Sequence, residues 1–143
     1  MADLDPLIRL YKKRVDDKQK VLADIYRELE QYETMKKILL EELERESQVL
    51  GDMDGMDTQS FFGPYVDGVR KKIDVIDESI SKIEYRVDLA REDVRRGFAE
   101  LKKVEITAEQ RAEVEAKEDA KKESDLMDEI GLDAYRRNNL DEE

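Results

Sequence analysis

Carboxylates are the commonest chemistry-bearing groups in this chain: 38 Asp and Glu stand among 143 residues, against 26 Lys and Arg. Paired carboxylates do acid–base work only where a pocket drives their pKa values apart. In a sequence this rich in charge, pairs of them are expected on solvated faces. There is no histidine and no cysteine, which removes the commonest general base, the thiolate nucleophile and the usual ligands of transition metals. The spacing of Asp52, Asp54 and Asp57 resembles the start of a calcium loop, but Met56 fills the third ligand slot and Gly55 comes too early. No glycine–lysine spacing forms a phosphate loop. Without an assembled nucleophile, base or metal set, the chain reads as a non-enzyme with no catalytic residue, no cofactor and no metal. What remains is charge in clusters. Arg9, Lys12, Lys13 and Arg14 fall within two helical turns, and an acidic, apolar run from Glu123 to Ile130 precedes Arg136 and Arg137.

The elements that position these clusters follow from periodicity. Apolar residues recur at alternating steps of three and four from Val66 to Val104, and one slot of the series holds Gly97. Such a heptad seam predicts a helix whose narrow stripe is buried on a partner helix. A second seam runs from Leu4 to Leu50, interrupted by Lys18, Lys36 and Glu46. Polar residues in seam slots can fix register at a cost in stability, or the seam is simply imperfect there. Asp3 or Asp5 suits an N-cap and Pro6 the first helical position. Gly51, Gly55 and three aspartates between Gly51 and Asp57 favour a turn, with Phe61 and Phe62 placed to cap the open end of the seam.

The expected fold is therefore all-α: a two-helix antiparallel coiled-coil hairpin with an overhanging C-terminal helix, a single domain over 1–143. Helix one covers about 5–50, the turn 51–63 and helix two about 64–137. Pairing across such a turn matches residues whose numbers total about 114, so helix one is exhausted near residue 110 and the overhang starts there. Thr107 to Gln110 has the form of a capping box. No glycine or proline accompanies it, which favours an unbroken helix. Gly131 is a candidate C-cap. The same pairing sets Arg9, Lys12, Lys13 and Arg14 beside Arg95, Arg96, Lys102 and Lys103, a positive collar at the end distal to the turn. Clustered like charge calls for a neutralising partner, unless Asp5, Asp16, Asp17, Glu100 and Glu105 balance it locally. Tyr26, Tyr32 and Met35 lie mid-helix, as core packing or as an exposed docking patch.

Composition narrows the function classes. The net charge is −12, half of it in residues 111–143, which argues against nucleic acid. No apolar run approaches a membrane span and the first residues lack a signal-peptide layout, so a soluble cytosolic protein without membrane insertion is the plain reading. A scaffold in which the Val66–Val104 seam pairs with a second copy is the alternative to a monomeric hairpin.

The start Leu7-Ile8-Arg9-Leu10-Tyr11-Lys12-Lys13-Arg14, the long charged hairpin, Lys103 and Glu105, and a tail with Met127-Asp128-Glu129 followed by Arg136 and Arg137 resemble the flagellar export protein family FliJ. The resemblance covers the whole chain in length and layout. It implies a two-helix coiled coil similar to the central stalk of rotary ATPases. It further implies a place in the cytoplasm beside the membrane-embedded flagellar export apparatus. The implied partners are a hexameric export ATPase, the cytoplasmic part of an export-gate membrane protein, and export chaperones with their cargo. Asp128, Glu129, Arg136 and Arg137 join the basic collar as expected partner-binding residues. The tail is acidic here, where the family's is more basic. The reading outside this apparatus is a homodimeric scaffold or an export chaperone with no ATPase partner.

Overall fold

A computed structural model of the chain describes residues 3–51 and 56–141. They form two helices, α1 (Asp5–Gly51) and α2 (Met56–Asp141), with no strand among the described residues. Leu, Glu and Lys are common in α1 and Glu, Lys and Ala in α2, residues that lose little freedom in a helix. At the start of α1 the Asp5 amide donates to Asp3 Oδ1 at 3.0 Å, and the Ile8 amide donates to the Leu4 carbonyl at 2.9 Å. Asp3 is thus the capping acceptor and Pro6 sits in the first turn, where its missing amide costs nothing.

Three boundaries differ from expectation. α2 begins at Met56 rather than Pro64, because no glycine or proline interrupts Met56 to Phe62. Pro64 lies inside the helix. Its φ is helical by construction, and Gly63 before it removes one side chain from a backbone that must accommodate the ring. Gly131 does not cap: α2 runs through it to Asp141, past the expected end near 137, and no glycine takes a positive φ among the described residues. α2 runs unbroken through the tetrad at Thr107, the reading favoured by the lack of a glycine or proline there. Thr107 Oγ1 donates back to the Lys103 carbonyl at 2.8 Å, the bond a threonine makes within a helix. The expected calcium-like spacing and the Phe61–Phe62 cap fall on positions whose side chains lie outside the described residues.

The chain divides into two compact units, residues 12–98 and residues 1–11 with 99–143.

In the unit of residues 12–98, α1 and α2 run antiparallel. Glu28 pairs with Arg86 and Lys36 with Asp77, so numbers rise on one helix as they fall on the other, totalling 113 or 114. The buried seam consists of Val15 and Ile25 from α1 with Val69, Ile73, Ile76, Ile83, Val87 and Ala90 from α2. Ile25, Ile83, Val87 and Ala90 cluster with Leu22, Leu29 and Tyr32 packed against them. Burying each large aliphatic side chain contributes about 1.5–3 kcal/mol. The Val66–Val104 seam is used inside the chain here, which leaves no free seam for a second copy across these residues.

In the other unit nothing is fully buried among the described residues. Leu4, just before α1, Ile8 and Tyr11 of α1, and Leu101, Val104, Glu105, Ala108 and Glu115 of α2 are half-buried. Asp3, Leu4 and Asp5 line a cleft of about 310 Å³ together with Ala108, Arg111, Ala112 and Glu115. Cover on α2 therefore extends to Glu115, not about 110. Residues 116–140 are helical and exposed throughout.

Candidate interaction surfaces

Two of the three polar interruptions in the Leu4–Leu50 seam meet α2. Gly97 is buried, and a Cβ built there would stand 3.3 Å from Val15 Cγ2 and 3.3 Å from Lys18 Cδ. The side chain missing from one helix is replaced by the Lys18 stem and Val15 from the other. The Lys18 side chain lies over the glycine, its Cδ and Nζ 3.3 and 3.6 Å from where a Cβ would stand. Lys36 Nζ lies 2.6 Å from Asp77 Oδ1 across the helices, each side chain partly shielded. Glu46, the third interruption, is simply exposed.

These contacts locate the basic residues. In the unit of residues 12–98, Arg95 and Arg96 both reach Glu92, at 3.0 and 3.8 Å. The sequence reading named other carboxylates and missed Glu92. Its signal was legible as an i,i+3 and i,i+4 relation. Lys12 and Lys13 are exposed and enter no ion pair among the described residues, whereas Arg14 already has a partner. Lys18 sits level with Arg96 through its contact at Gly97, so a residue assigned only to the seam adds its charge to this surface. In the other unit Arg9, Lys102 and Lys103 are exposed without an ion pair among the described residues. Local pairing therefore quiets part of the expected collar and leaves lysines uncompensated in both units.

The mid-helix group divides. Tyr32 packs on the central cluster, as its seam slot requires, while Tyr26 and Met35 are 43% and 50% exposed. Asp128, Glu129, Arg136 and Arg137 all lie on the exposed part of α2, and no ion pair links them among the described residues. Around them Leu126, Met127, Ile130, Leu132, Tyr135 and Leu140 are each more than half exposed. No His, Cys, Asp and Glu grouping among the described residues could hold a metal ion.

The described residues thus form a two-helix hairpin with exposed charge and a bare helix that carries exposed apolar side chains. The flagellar FliJ protein family matches residues 1–140, and the chain belongs to that family. Its role is accordingly one in flagellar type III export, as a structural component of that machinery. No curated protein and no solved structure matches it. No helix among the described residues is long and apolar enough to cross a membrane.

Proposed function

We propose that the chain is the coiled-coil stalk of the flagellar export ATPase. In this reading it works in the cytoplasm, peripheral to the membrane-embedded export apparatus. It couples the ATPase to the export gate and assists the delivery of substrates and their chaperones. The observation that carries the reading is a hairpin of the FliJ family whose second helix continues, uncovered, from residue 116 to 140. A stiff helical element in the pore of a hexamer touches its subunits in turn. It biases their conformations only through contacts that differ between states. The end distal to the turn is the end that enters, by analogy with rotary stalks, and the unpaired lysines there meet acidic surfaces on the ATPase.

Stimulation of the hexameric ATPase tests this directly. Lys12→Glu with Lys13→Glu is expected to reduce stimulation at least several-fold at low salt, with the gap narrowing as salt screens the surface. Arg14 stays intact in that variant because it is already engaged. Unchanged stimulation removes the lysines from the mechanism. Failure of the wild-type chain to co-purify with the hexamer removes the stalk itself and leaves an export chaperone.

A further inference from the structure

On the unit of residues 12–98 an open groove of about 590 Å³ lies between α1 and α2. Leu39 and Ile76 belong to the seam and form its floor. Met35 and Ile38 form one wall and Val75 the other. These three are 50%, 49% and 64% exposed, so the groove is apolar surface that the hairpin leaves in water. Its origin is visible in the register. One heptad away the Glu28–Arg86 pair spans the helices, whereas at this level α1 carries Met35 in place of a charged residue. Lys71 and Lys72 rim the opening, exposed and outside any ion pair among the described residues.

A matching surface lies on the same sequence. Between Glu123 and Asp133, α2 carries five carboxylates and no Lys or Arg. Leu126, Met127 and Ile130 project apolar surface from that stretch, 57%, 70% and 57% exposed. Their spacing, one and four residues on, with Ala134 a turn further, is that of a helix that lays one apolar stripe into a groove. We propose that this acidic helix of one copy docks into the lysine-rimmed groove of a second copy. The apolar stripe covers Met35, Ile38 and Val75, and the flanking carboxylates meet Lys71 and Lys72. The contact joins two different patches, so it is heterologous and each copy keeps one free half. It is also small, well below a standard interface, so it is transient and builds with concentration.

Sedimentation velocity of the full chain across micromolar to millimolar concentrations, at low salt and with no other protein present, tests the contact. The wild type is expected to move from its 16.8 kDa monomer to larger species as concentration rises, and added salt to reverse the shift. Val75→Glu and Ile130→Gln change exposed positions, so both variants keep their helical circular dichroism. Each alone is expected to weaken association at least tenfold. Mixed together, the intact helix of Val75→Glu and the intact groove of Ile130→Gln restore one contact. The mixture then stops at a 1:1 complex of twice the chain mass. A wild type that stays monomeric throughout overturns the proposal, since the groove then serves some other occupant. Association that survives either single substitution, or a mixture that forms no complex, overturns it equally. Because no ATPase is present, none of these results bears on the stalk reading.

Discussion

At Gly97 the residue types on both helices are fitted to one another. A methyl group there meets Val15 and the Lys18 stem at 3.3 Å, a tight contact that a flexible lysine can relieve. Gly97→Ala is expected to change stability by less than about 1 kcal/mol, because helix propensity gains about what the contact costs. Gly97→Leu has no such relief and should cost about 1–3 kcal/mol by overpacking. Urea unfolding followed by helical ellipticity distinguishes the two. Gly131 is the control. Nothing lies within 4 Å of a Cβ there, so Gly131→Ala should stabilise its stretch of helix by about 0.8–1 kcal/mol. That gain is measurable as slower amide exchange around it. In the sequence Gly97 was visible as a gap in a seam and Gly131 as a possible cap. What distinguishes them is burial, which no residue letter records.

The seam of α2 holds its element in place while the faces it leaves uncovered vary. Ile83 is 4% exposed and central to the cluster with Ile25, Val87 and Ala90, so Ile83→Ala should cost about 2–5 kcal/mol. Val75, on the same helix but outside the seam, should tolerate alanine within about 0.5 kcal/mol. Thermal or urea denaturation of the two variants under one condition checks the contrast. The cross-helix pair of Lys36 and Asp77 is only partly shielded, so Asp77→Asn should cost at most about 1 kcal/mol and matter less in salt. Its use lies more in register: it matches one level of α1 to one level of α2, as the Glu28–Arg86 pair does. The elements themselves were legible. Heptad spacing announced both helices, and the turn-centred pairing placed their partners to within a residue or two. The start of α2 was not legible, because Pro64 looks like an N-terminal residue and only backbone geometry shows that a helix can carry it eight residues in.

For the molecule as a whole, charge and coverage decide what it can meet. The net charge of −12 is concentrated toward the C-terminal third, where α2 has no cover beyond Glu115 among the described residues. Deleting residues 116–143 should leave the cooperative unfolding of the hairpin unchanged, since none of the described side chains there is buried, and should abolish both proposed uses of the bare helix. Calorimetry beside an ATPase assay separates stability from function in that variant. The site was only half legible. The clusters of charge could be counted from the letters. Which members were already spent on neighbours could not, as Glu92 between Arg95 and Arg96 shows.

The amino-acid sequence by itself determined the secondary structure class, the antiparallel pairing and the family, because all three depend on the spacing of apolar residues and on short motifs along one dimension. The tertiary structure decided what the spacing leaves open. It set Lys18 over Gly97, matched Lys36 to Asp77, and opened a groove lined by Met35, Ile38 and Val75. It also left the acidic end of α2 bare. Each of these depends on which side chain stands opposite, and that distance across the seam is set only when the helices pack.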